Sequence, residues 1–265
     1  MYSLEKLFNL KGKTALVVGG AGLLGSQICD ALAEQGANIV IASRNIDACK
    51  NKSIELNTEY TQIRTSYTQV DLMDKQSINN CIKFVDEQFT SLDILVVCAW
   101  SGKKNTWETI NDDDWNYDIE ICLNGVFRLI KSATDSLKKS KGVILNIGSM
   151  YGHVAPDYRM YEGVPQSNPP SYGAAKAAVI QLTKYLSSFL APYGIRVNCI
   201  SPGPFPFEEV INQYPEFKNR LESKNPLGRI GKPHEIKAMA ALLCSDASSY
   251  ITGQNICIDG GWTVW

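Results

Sequence analysis

Apolar residues recur along this chain in two alternating rhythms. Short runs of consecutive apolar, largely β-branched residues at 14–20 (TALVVGG), 38–43 (NIVIAS), 92–99 (LDILVVCA), 143–149 (VILNIGS), 195–201 (IRVNCIS) and 255–261 (NICIDGG) predict strands, and a more polar run near 66–72 (SYTQVDL) predicts a seventh. Between them, apolar positions spaced by three or four predict helices over 23–36, from about Asp47, over 77–89, from 112 through Leu137, and over 171–194. In the last of these, Ala175, Ala178, Val179, Leu182, Leu186 and Phe189 share one face, which is expected to be buried. Strand and helix alternate from the start, the pattern of a parallel sheet covered by helices on both sides. The expected fold class is α/β, a doubly wound seven-stranded parallel sheet in a single domain over 1–265. No repeat, low-complexity run or linker divides the chain. Two stretches lack periodicity and are rich in Pro, Gly and aromatics, an insert at 150–169 and a loop at 201–230. Long loops in a compact α/β unit more often bind or cover a ligand than idle.

Composition narrows the class. The chain has 265 residues, 45% hydrophobic and 20% charged, and nowhere approaches the ~20 apolar residues that span a bilayer. Its opening, MYSLEKLFNLKGK, lacks the cationic-then-apolar plan of a secretion signal, so a cytoplasmic location without membrane partners is expected. A net charge of -1 gives no electrostatic footprint for nucleic acid. A small-molecule substrate is the leading option. The eight cysteines form no C-x-x-C pair and read as reduced, buried residues rather than a disulfide framework or zinc site. Asp112 to Asp114 read as a solvated helix N-terminus, and no metal site is expected.

The first strand runs into GGAGLLG, where Gly20, Gly22 and Gly25 satisfy G-x-G-x-x-G between a predicted strand and helix. Such glycines permit a tight turn, let backbone N–H groups approach a pyrophosphate, and allow close helix packing. About 20 residues on, an acidic side chain would hold the ribose of NAD. Here the second strand ends in Ala42, Ser43 and Arg44, which favours the 2′-phosphate of NADP, with NAD as the alternative. Arg44 also reads as a solvated charge at a helix entry, and Asp71 either reaches the adenine ring or opens a helix.

Tyr151, Tyr158, Tyr161 and Tyr172 are all candidates for an acid/base, but only Tyr172 has a lysine four residues later, Lys176. Positions i and i+4 share a helical face, so the ammonium can sit beside the phenol and favour its ionised form. Such a phenol is a usable acid/base near neutral pH.

On these features the chain resembles the short-chain dehydrogenase/reductase family over essentially its whole length. The resemblance is carried by the glycine turn, Asn124 in CLNGVF, Ser149 ending VILNIGS, YGAAK, RVNCISPGP, PLGRIGKPHEI and ITGQNICIDGG. It implies a single Rossmann domain that transfers hydride between NAD(P) and a carbonyl or hydroxyl carbon, commonly as a homotetramer or homodimer. By position, Tyr172 is the general acid/base, Lys176 lowers the cost of its ionisation and holds the nicotinamide ribose, Ser149 hydrogen-bonds the substrate oxygen, and Asn124 anchors a water. The implied cofactor site comprises Gly19, Gly20, Gly22, Leu23, Leu24, Gly25, Ser43, Arg44, Asp71, Leu72, Ala99, Tyr172, Lys176, Pro202 and Gly203. Ser149, Tyr151, Arg159 and Phe205 are the expected substrate contacts.

Three departures stand out. Leu23 replaces a glycine of the compact members, with Gly22 expected to carry the turn. The fourth strand ends Val97, Cys98, Ala99, Trp100 where the family has Asn-Asn-Ala-Gly, and Trp100 either narrows the site or packs outward. Ser149 and Tyr172 are farther apart than usual, so 150–169 is an added segment, read as a substrate-facing lid or a subunit contact. Arg159 and His153 within it would suit a sugar-like or acidic hydroxylated substrate. A catalytically silent dinucleotide-binding sensor or scaffold, and a reductase of acyl or other non-sugar ketones, are the alternatives.

Overall fold

A computed structural model describes residues 2–100, 102–165 and 168–265; positions 166 and 167 of the expected insert lie outside them. The elements are α1 (Leu4–Phe8), β1 (Thr14–Val18), α2 (Leu23–Glu34), β2 (Asn38–Ser43), α3 (Ile46–Glu59), β3 (Thr65–Gln69), α4 (Lys75–Gln88), β4 (Ile94–Val97), α5 (Asp112–Ile119), α6 (Gly125–Ser140), β5 (Val143–Ile147), α7 (Pro170–Leu190), β6 (Arg196–Pro202), α8 (Glu208–Gln213), α9 (Pro215–Lys224), α10 (Lys237–Cys244) and β7 (Asn255–Ile258). The seven strands form one all-parallel sheet in the order β3-β2-β1-β4-β5-β6-β7. Successive side chains point to opposite faces: Leu16 and Val18 join one core cluster, Ala15 and Val17 the other. Both faces are covered, which is why the inner strands read as unbroken apolar runs.

Where expectation and structure differ, the cause is local. The third strand stops at Gln69; beyond it the Asp71 amide donates to Ser77 Oγ at 3.0 Å and the chain turns toward α4. Lying at the sheet edge, β3 is only half buried, which accounts for its polar sequence. The helix expected from 112 through Leu137 is a run of three pieces, with a π-helical turn at Glu120–Asn124 between α5 and α6. At its exit Gly125 presses on Leu72, whose Cβ would lie 2.6 Å from an added methyl. On α7, Ala175 and Val179 are buried as expected, but Phe189 is 57% exposed. Small and hydroxylated residues face the sheet instead: Thr183 Oγ1 accepts from Asn146 Nδ2 at 2.9 Å and donates to the Val179 carbonyl. All eight cysteines are free thiols. No described helix is long and apolar enough to cross a membrane.

Candidate active site

Beyond the carboxyl ends of the central strands lies a cavity of about 600 Å³. It sits where neighbouring crossovers diverge from β1, toward β2 on one side and β4 on the other, the point at which an open α/β sheet leaves a crevice.

The turn from β1 into α2 forms its floor. Gly19 has φ +85°, and a methyl there would meet the Ala99 amide nitrogen at 2.7 Å. A methyl at Gly25 would lie 2.1 Å from the Gly19 carbonyl oxygen, whereas Gly22 faces that oxygen at 3.3 Å and little else. Gly19, Gly20 and Gly25 leave no room for a side chain, while Gly22, whose amide donates to the Gly19 carbonyl at 3.0 Å, closes the turn. Gly22 caps α2 with no side-chain hydrogen bond, so no side chain competes for the positive end of a 12-residue helix. A cradle of bare backbone at a helix N-terminus fits a pyrophosphate. Leu23 and Leu24 line it, and Ser43, Arg44, Asp71, Leu72 and Ala99 line the cavity alongside. The Arg44 guanidinium is exposed and donates to the Tyr117 hydroxyl at 3.4 Å.

At the other end stand Ser149, Tyr172, Lys176, Pro202, Gly203 and Phe205. β5 delivers Ser149, whose Oγ accepts from the Tyr151 amide at 3.1 Å. Pro170 starts α7, fixing Tyr172 in its first turn and Lys176 one turn later. Lys176 is 4% exposed; its Nζ donates to the Ile147 carbonyl at 2.7 Å and lies 5.7 Å from the centre of the Tyr172 ring. A buried ammonium is costly unless partnered, and this one is pinned between α7 and β5 beside the phenol. Burial pushes the Cys98 and Cys199 thiols up to about 11 and about 12 against the opposing pull of Lys176, so neither is a nucleophile near neutral pH.

Other expected site residues are placed elsewhere. Asn124 does not line the cavity; its side-chain amide donates to Glu120 Oε2 at 2.6 Å, and Arg128 and Asn124 together hold the Glu120 carboxyl below its usual range. Tyr151 is buried with its hydroxyl 2.8 Å from that of Tyr161, and burial pushes both phenols up. Arg159 points to solvent and grips Asp157 at 2.9 and 2.7 Å, holding that carboxyl well below the ordinary range. His153 turns to the far side, its Nε2 2.7 Å from Asn255 Nδ2 and 3.3 Å from Ser201 Oγ. The insert packs instead on α9, where Arg220 donates to the carbonyls of Met160 and Glu162 and Tyr161 lies 5.6 Å from Phe217.

Sequence reasoning left Trp100 open and missed Asn45, Ala48 and Ile121. Trp100 lines the cavity, edge-on to Tyr172 at 5.6 Å between ring centres. Asn45 carries a signal that could have been read, the N-cap of α3, where its Oδ1 accepts from the Ala48 amide at 3.0 Å. The Ile147 carbonyl that anchors Lys176 had none, being backbone.

A family model described as Enoyl-(Acyl carrier protein) reductase matches residues 20–263. The sorbose reductase of Candida albicans is 34% identical over 263 residues, covering 97% of this chain and 89% of its own. Among solved structures, a gluconate 5-dehydrogenase from Burkholderia cenocepacia in complex with NADP and tartrate superposes with a TM-score of 0.88 at 28% identity, covering 99% of this chain and 100% of its own. A short chain dehydrogenase from Leptospira borgpetersenii with bound NAD+ superposes with a TM-score of 0.83 at 32% identity, covering 99% and 96%.

Proposed function

The chain belongs to the short-chain dehydrogenase/reductase family of NAD(P)-dependent oxidoreductases, and from that premise we propose that it interconverts a carbonyl and a secondary alcohol on a polar, sugar-related substrate, with NADP preferred over NAD. The observation that carries this reading is the convergence of Ser149, Tyr172 and Lys176 in one cavity continuous with the glycine cradle. The nicotinamide, when bound, supplies or accepts the hydride. Tyr172 gives its hydroxyl proton to the carbonyl oxygen during reduction and takes it back during oxidation. Ser149 Oγ hydrogen-bonds the same oxygen and orients it. The Lys176 ammonium stabilises the phenolate left behind.

Arg44, exposed at the cavity rim with no acidic residue ending β2, supports the 2′-phosphate of NADP. The sorbose reductase and gluconate dehydrogenase support a sugar-related substrate. The family model's description keeps an acyl substrate as the second reading. Exposed rings on α7 support assembly as a homodimer or homotetramer.

Tyr172→Phe tests the enzymatic reading. The variant is expected to bind NADPH as wild type does, within about twofold, and to lose at least 100-fold in kcat, the range of acid/base contributions. A variant that turns over ketoses and acyl ketones as fast as wild type overturns it and leaves the sensor or scaffold reading.

A further inference from the structure

The reaction end of the cavity is walled by three aromatic rings, Trp100, Phe205 and Phe207. Among the described residues lining the cavity, the charged side chains are Arg44, Asp71 and Lys176. Arg44 and Asp71 follow β2 and β3, across β1 from the strand that delivers Ser149, and Lys176 is engaged by Ile147. Cations on the neighbouring loops have other partners: Arg159 holds Asp157, Arg220 the carbonyls of Met160 and Glu162, Arg229 pairs with Glu235 at 2.6 Å, and Lys103 lies over the Tyr117 ring. An anionic substrate would lose its hydration against aromatic walls without a counter-charge. Arg159 and His153, which suggested an acidic substrate in the sequence, do not line the cavity.

Trp100 is the distinctive wall. It stands edge-on to Tyr172 and half of its surface is open. Near it lies a buried carboxylate: Asp118, 1% exposed, accepts from the Lys103 amide at 2.8 Å and from Ser171 Oγ, directly before Tyr172. A methyl added to Gly102 would touch Trp100 Cζ3 at 3.3 Å, so this loop backs the indole closely. Asp118 thus joins the segment that backs the indole to the helix start that carries the phenol.

Resting on the carbonyl–alcohol reading above, we propose that Trp100 is the specificity-determining residue and selects an uncharged cyclic substrate, a cyclic hydroxyketone or polyol. The indole face, negatively polarised, stacks on the C–H face of the ring, while Ser149 and Tyr172 take the reacting oxygen. An open-chain ketone presents no such face, and among the described residues lining the reaction end a carboxylated ring meets only Lys176, already engaged by the Ile147 carbonyl.

Four probes decide this with the full chain saturated with NADP: myo-inositol and 2-hydroxycyclohexanone as neutral rings, hydroxyacetone as a neutral open chain, and glucuronate as a charged ring. Binding is read by saturation-transfer NMR titration and, for the ketones with NADPH, by kcat/KM. The neutral rings are expected to bind at least tenfold tighter than glucuronate. Trp100→Ala is expected to weaken the neutral rings at least tenfold, hydroxyacetone less than twofold and NADP less than twofold, with Trp100→Phe restoring most of the ring affinity. Equal loss for rings and open chain, no loss for rings, no ring binding by wild type, or glucuronate binding as tightly as the neutral rings each overturns the proposal. Because binding is read without turnover, a wild type that binds rings selectively but transfers no hydride sinks the enzymatic reading alone. Turnover that ignores Trp100 sinks this one alone.

Discussion

At Gly25 an added methyl collides with the Gly19 carbonyl at 2.1 Å, and that oxygen is backbone with no rotamer to escape into. Gly25→Ala is expected to destabilise by about 3 kcal/mol, the upper end of the usual overpacking cost, read from urea unfolding. Loss of NADPH affinity of at least tenfold should accompany it. Gly22→Ala is expected to cost about 1 kcal/mol or less, the difference between Gly and Ala at a helix N-cap. Equal effects at the two positions would show that the cradle is not built as described. The G-x-G-x-x-G spacing made the cradle legible, but not its division of labour. Gly19 matters because it abuts Ala99 after β4, some 80 positions along the chain, and a local motif cannot register such a contact. Tyr172 and Lys176 were legible for the opposite reason, since helical spacing alone places them together.

Between elements, Asp118 does the joining. It is carried on α5 yet accepts from Ser171 on α7 and from the Lys103 amide. Asp118→Ala leaves a buried hydroxyl and a backbone amide without partners, and is expected to cost about 2–3 kcal/mol in urea unfolding, as for hydrogen bonds to charged groups. It should also free Trp100, so the same variant is expected to lose selectivity between ring and open-chain ketones. Unchanged stability would mean that water replaces the carboxylate. Periodicity showed this stretch as one helix and could not show its π-helical turn, because five residues are too few to establish a period of their own. On α7 the hydrophobic rhythm also misled. The buried positions include Ser171, Lys176, Thr183 and Ser187, each with a hydrogen-bond partner, while Tyr185 and Phe189 face outward.

For the whole molecule, those outward rings lie stacked with centres 5.9 Å apart, nearly parallel, on the exposed side of α7. If α7 pairs with a second copy, light scattering at micromolar concentration will give a dimer or tetramer mass, and a Tyr185→Glu/Phe189→Glu variant will give a smaller one. A monomeric wild type would refute that assembly. The sheet and its strand order were legible because parallel strands buried on both faces have a distinctive apolar signature. The role of the insert was not, since polarity in a loop does not reveal whether its partner is a substrate or α9. That docking has a consequence for the order of synthesis. The residues that abut the cradle glycines end at Ala99, but α2 itself packs on Ile236, Ala240 and Leu243, and the cluster that joins Tyr151 and Tyr161 to Phe217 also contains Trp262. A chain emerging from the ribosome can therefore finish neither the place where the nucleotide sits nor the place where chemistry happens until its last segment is free, and both are completed by the same late stretch of chain.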